Sequence, residues 1–158
     1  MNVLVPHTEF YTSVACLSNA HLRQQIVDCE RILAVLRGGH GLPGDWSSDP
    51  TVYMWSESQS ALAVYHVMAC AEWRARGGEF RATAYHPETF RRQPGWWRRQ
   101  DLAEDGRDAS LPVWWGLEDV HFSHRRALMS RDPGHYRQFG WRVVPSLDYV
   151  YPGINDLI

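Results

Sequence analysis

Apolar positions along this 158-residue chain recur mainly at helical spacing. Leu22, Ile26, Cys29, Ile32, Leu33 and Leu36 fall on one face of a helix expected from about 19 to 37, a stripe wide enough to require burial. Ser18 or Asn19 supplies an N-cap, and the run GGHGLPG stops the helix. A second set, Val52, Met54, Trp55, Leu62, Tyr65, Val67, Met68 and Trp73, predicts one long helix from about 50 to 76. Asp49 and Pro50 open it as N-cap and first helical residue, and Arg76-Gly77-Gly78 closes it. This helix is apolar around much of its girth and is expected to be central, with Trp55, Tyr65 and Trp73 as core. The segment LEDVHFSHRRALMSRD predicts a third helix over about 117–132, ended by Asp132-Pro133-Gly134. Residues 2–10 read as a short apolar lead broken by Pro6. Residues 77–115 hold Pro87, Pro94 and Pro112 and predict a long irregular loop with at most one short helix. From Gly140 the chain reads as an extended tail packed by its aromatics. There is no alternating strand pattern and no internal repeat. The expectation is an all-α, compact single domain over residues 1–158, with a long irregular loop and an extended C-terminal tail.

Composition refines this picture. A hydrophobic fraction of 44% marks a globular chain rather than a disordered one. The net charge of −2 gives no global basic field for nucleic acid. The basic residues are all arginine, and there is no lysine. Eight of the sixteen arginines lie between Arg74 and Arg107 and five more between Arg125 and Arg142, so a local basic face is available. Arginine also suits bidentate phosphate contact. Cys16, Cys29 and Cys70 are odd in number and lack CxxC spacing, which predicts reduced, buried thiols in a cytoplasmic protein. The first ten residues lack the basic and apolar regions of a signal peptide, and no apolar run is long enough to span a membrane.

Three blocks in order carry a resemblance. HLRQQIVDCERIL, preceded by PHTEFYTSVACLSNA, is similar to the first helix of the pyrimidine-dimer DNA glycosylase family. DPTVYMW and ALAVYHVMACAEWRARG resemble its second helix, and WWGLEDVHFSHRRALMSRDPGHYRQFGW with PSLDYVYP resembles the C-terminal block of its bacterial and phage members. Residues 79–111 or so stay unmatched. The resemblance implies a compact helical domain that acts on duplex DNA and cleaves the glycosidic bond of a damaged or modified pyrimidine; the sequence gives no evidence for a cofactor.

The family's catalytic glutamate follows a His-Leu pair on the first helix, and aligning on His21 and Leu22 puts Asp28 at that position. A carboxylate there activates a nucleophile and stabilises the cationic sugar that develops as the base leaves. Aspartate keeps the charge and shortens the reach by one methylene. The family's neighbouring arginine falls on Val27. Glu30 lies roughly 200° around the helix from Asp28 and shares no face with it. The family's nucleophile is the amine of its processed N-terminal residue. That position falls near His7, and the chain has no lysine to replace it, so either the N-terminal amine folds back to the site or the chemistry runs without an imine.

His21 and Arg23 on the same helix are candidates for sugar or phosphate contact. His121 and His124 stand at i,i+3 with Arg125 and Arg126 beside them. No third metal ligand is evident, and the group reads as a phosphate contact or a cap. Arg98 and Arg99 belong to RRQPGWWRR, which interleaves guanidinium groups and indoles, suited to a DNA backbone and an unstacked base or to a decorated surface loop. Three functions remain open: a DNA N-glycosylase, a DNA-binding module that has lost the chemistry, and an enzyme acting on the glycosidic bond of a free nucleoside or nucleotide.

Overall fold

The computed structural model describes residues 2–36, 38, 48–79 and 111–152. Among these the regular elements are helices and there is no strand, as the apolar spacing predicts. In chain order they are α1 (Phe10–Ala15), α2 (Asn19–Leu36), α3 (Pro50–Trp55), α4 (Gln59–Ala75), α5 (Glu118–Arg131) and α6 (Pro133–Tyr136), followed by a 3₁₀ turn over Arg137–Phe139.

α2 forms where the stripe predicts it. Ser18 caps it, its hydroxyl accepting from the His21 amide at 3.3 Å, and Leu22, Ile26, Cys29, Ile32 and Leu33 are buried. The expected helix from about 50 to 76 is two helices. Asp49 accepts from the Thr51 amide at 2.8 Å and Pro50 opens α3, as its sequence predicts. The helix then breaks at Ser56–Ser58, where the Ser56 hydroxyl bonds back to Tyr53 O and Ser58 takes a non-helical conformation. Serine side chains compete with the helix for backbone groups in this way. α4 ends at a Schellman motif: Gly77 N–H bonds Arg74 O and Gly78 N–H bonds Trp73 O, both at 2.9 Å, with Gly77 at φ 85°. A Cβ on Gly78 would lie 2.1 Å from the Trp73 indole, so that position has no room for a side chain.

Two short helices are additions to the sequence reading. In α1, Phe10 and Val14 are buried with Leu17 just beyond, an i, i+4, i+7 pattern that starts where the expected apolar lead ends. The Asp132-Pro133 pair reads only as a stop, yet Asp132 also caps α6, accepting from the His135 amide at 3.1 Å. The same Asp-Pro signal opens α3.

α2 and α4 are the principal packing pair, and α1 leans on α4. One buried cluster draws on residues 3–5, α1 to α5 and Tyr136. Trp55 and Tyr65 are fully buried, and Trp73 is half-buried against the cluster. The three cysteines are buried free thiols. The tail from Trp141 to Pro152 has no regular structure and is packed by its aromatics, as expected: Trp141 stacks on Tyr136 at 5.6 Å and on Phe139 at 5.3 Å. The RRQPGWWRR segment, with Arg98 and Arg99, lies outside the described residues. No described helix is long and apolar enough to cross a membrane.

Candidate active site

Residues 2–7 run extended across the helices without a neighbouring strand, so side chains must satisfy their backbone groups. Gln25, buried on α2, accepts from Leu4 N–H at 2.6 Å and donates to Asn2 O at 2.9 Å. Tyr65 on α4 donates to Leu4 O at 2.7 Å. His124 Nδ1 accepts from Val5 N–H at 2.9 Å, and His121 Nδ1 donates to Val5 O at 2.7 Å. Arg125 donates to Pro6 O, and Ser13 accepts from His7 N–H. Side chains from α1, α2, α4 and α5 thus hold this segment in one register.

That register brings the backbone nitrogen of Asn2 to 3.3 Å from Asp28 Oδ2. The Asn2 side chain is fixed as well, its Oδ1 accepting from Thr51 Oγ1 at 3.2 Å and from the Tyr151 hydroxyl at 3.3 Å. Asp28 is 6% exposed. Its Oδ1 accepts from Gln24 Nε2 at 3.0 Å and lies 3.7 Å from Arg31 Nη1. Asp28 and Asn2 share the wall of a cavity of about 350 Å³ with His21, Gln24, Arg31 and Arg131, a volume in the usual range of small-ligand sites. Glu30 faces elsewhere, 3.3 Å from His66 Nε2, as its angular offset predicts.

The other residues singled out by sequence divide. His21 lines the cavity, its Nδ1 2.8 Å from the Tyr136 hydroxyl, and burial with the nearby Arg131 charge lowers its pKa. Arg23 is exposed and does not line the cavity, because five residues separate it from Asp28 and turn it off that face. Of the two readings of His121 and His124, phosphate contact or cap, the geometry matches the cap: both rings are buried and clamp Val5. Burial pushes the His124 pKa down to about 3 and lowers that of His121. Their partners fit neutral rings. His124 accepts at Nδ1, while His121 donates from Nδ1 and accepts Gly116 N–H at Nε2, 3.1 Å away. Arg125 is engaged with Pro6 O and Glu118, and Arg126 donates to Val144 O at 2.9 Å.

The resemblance puts the family's amine position near His7, away from the backbone nitrogen that approaches Asp28. His7 packs on Trp141 at 5.7 Å, and Asn2 reaches the carboxylate. Gln24 and Arg31 were within reach of sequence reasoning, standing at i−4 and i+3 from Asp28. Asn2 and Arg131 carried no such signal. Among the described residues no group of three His, Cys, Asp or Glu side chains is placed to hold a metal ion.

Chemically, the cavity offers a buried carboxylate beside a backbone nitrogen, with guanidinium groups at its margin. Comparison with known proteins finds no match among curated proteins and none among solved structures. A family profile described as pyrimidine dimer DNA glycosylase matches residues 1–86, the part that carries Asn2, Asp28 and Arg31. On this match, which spans more than half of the chain, the protein belongs to the pyrimidine dimer DNA glycosylase family.

Proposed function

We propose that this protein releases the base of a pyrimidine dimer in duplex DNA, with Asp28 as the catalytic carboxylate. Family membership supports a DNA-glycosylase type of function on pyrimidine dimers. The observation that carries the finer reading is the 3.3 Å approach of the Asn2 nitrogen to Asp28 at the cavity wall. The C1′–N bond breaks with its electron pair leaving on the base, and the Asp28 carboxylate stabilises the positive charge that develops on the sugar. Reaching C1′ requires the damaged site to be unstacked, at about a few kcal/mol offset by contacts to the DNA.

The nucleophile depends on the state of the Asn2 nitrogen. A chain that begins at Asn2 presents an α-amine, which attacks C1′, opens the sugar to an imine and permits elimination of the 3′ phosphate. A chain with residues ahead of Asn2 presents an amide, which orients Asp28 and leaves a water as nucleophile. Asp28 is one methylene shorter than glutamate, and the close approach of the clamped segment offsets that loss of reach.

Ultraviolet-irradiated duplex DNA, with and without borohydride and followed by alkali, tests the reading. Alkali-dependent breaks that disappear in Asp28→Asn support it. A borohydride-trapped adduct selects the amine route, and the absence of lysine means that such an adduct sits on a terminal amine. Breaks without an adduct select the water route. Binding without breaks would favour a second reading, a DNA-binding module without chemistry, for which Val27 in place of the family arginine is the favouring observation.

A further inference from the structure

α5 carries three arginines, and they are used differently. Arg125 spends its guanidinium on Pro6 O and Glu118, and Arg126 bonds Val144 O. Arg131, in the last turn, lines the Asp28 cavity. Its guanidinium lies over the Tyr149 ring, 6.0 Å from the centroid, and that ring is itself held edge-on against buried His124 at 5.6 Å. The nearest acidic side chain in sequence, Asp132, is occupied in capping α6. Burial lowers the pKa of His21, and the nearby charge of Arg131 lowers it further. From α2, Arg31 reaches the same cavity and is half exposed while only 3.7 Å from Asp28.

Two guanidinium groups from different helices and one carboxylate therefore line the cavity, an excess of positive charge beside the reacting position. A planar guanidinium resting on an aromatic face is suited to two parallel bonds to an oxyanion. We propose that Arg131 is a substrate-binding residue that grips the phosphodiester flanking the damaged nucleotide, supplying from α5 the cation that Val27 does not supply beside Asp28. This inference rests on the glycosylase reading. It places damage-specific phosphate binding at Arg131, apart from contacts made anywhere along a duplex.

The test measures binding of the full chain to two duplexes over roughly 50–200 mM salt. One carries a tetrahydrofuran abasic analogue, which has no aldehyde to react, and the other is undamaged. Arg131→Gln is expected to weaken the tetrahydrofuran complex about tenfold and to lower its log–log salt slope by about one, with the undamaged complex unchanged. Arg131→Lys keeps the charge without the fork and is expected to fall between. In base release from irradiated duplex, Arg131→Gln is expected to raise KM by about the same factor. Unchanged binding in Arg131→Gln, or equal weakening on both duplexes, overturns the proposal while base release by the parent keeps the glycosylase reading intact. A parent protein that neither prefers the tetrahydrofuran duplex nor releases bases removes that reading, and this proposal with it.

Discussion

Asp28 is held from three sides, by Gln24, Arg31 and the Asn2 nitrogen, so its charge and its position can be tested separately. Asp28→Asn keeps the shape and removes the charge. It is expected to slow base release by at least about 100-fold while the denaturation midpoint stays close to that of the parent; retained activity would remove Asp28 from the chemistry. Gln25 tests position. Its amide satisfies Leu4 N–H and Asn2 O at once, and Gln25→Leu leaves both buried groups without a partner, at a cost of about 1–3 kcal/mol each. Chemical denaturation is expected to register that loss, and base release to fall further than the stability change alone accounts for. Gln25→Glu keeps the bond from Leu4 and loses the one to Asn2, so its values should lie between. Equal stability in all three proteins would mean that water replaces the clamp. Asp28 is singled out by the family resemblance, through its distance to His21-Leu22. Gln25 was not, because a polar residue one turn from a carboxylate reads as part of a solvated face.

The element that governs the site is the extended segment 2–7, and its fixings explain where sequence reading stopped. Long helices announce themselves through apolar spacing, and α2 and α5 appear within a residue or so of their expected ends. The break between α3 and α4 turns on the Ser56 hydroxyl, and α1 is too short for a periodicity to stand out. The partners of the segment come from four helices and no local rule assigns them, so the histidines that clamp Val5 were read as DNA contacts. That clamp has a pH signature. His124 has its folded pKa pushed down to about 3 from 6.5, so below pH 6.5 the unfolded chain takes up a proton that the folded ring refuses. The stabilisation is complete above 6.5 and is lost progressively as the pH falls toward 3. By pH 5 the loss is on the order of 2 kcal/mol from His124, and His121, shifted in the same direction by burial, adds to it. Denaturation curves at pH 7.5 and 5 should show this decline. His124→Asn, which can keep an acceptor for Val5 N–H and does not titrate, should flatten it. A decline of the same size in that variant would place the acid sensitivity elsewhere.

Across the whole molecule the site joins parts of the chain that sequence keeps far apart. Asn2 from the start, Asp28 and Arg31 from α2 and Arg131 from the end of α5 line one cavity. The support behind them is as distant, for Tyr151 bonds Asn2 across 149 positions and His124 bonds Val5 across 119. Nor is the segment a loose appendage, since Val3, Leu4 and Val5 belong to the same buried cluster as α2 and α4. Releasing the segment would therefore expose three apolar side chains and strip partners from Gln25, Tyr65, His121 and His124 together. At roughly 1.5–3 kcal/mol for each buried Val or Leu and about 1 kcal/mol net for each hydrogen bond, local release costs about as much as a typical domain's whole stability. A site built in this way has no low-energy opening of its own. Heating should then abolish base release and unfold the tryptophan-rich core in one cooperative transition, Trp55 and Trp114 being buried edge-to-face at 5.2 Å. Tryptophan fluorescence and base release followed over the same temperature ramp provide the measurement, with coincident midpoints expected. Activity lost well before the fluorescence change would mean that the segment detaches as a separate unit and that the clamp is weaker than its bonds suggest.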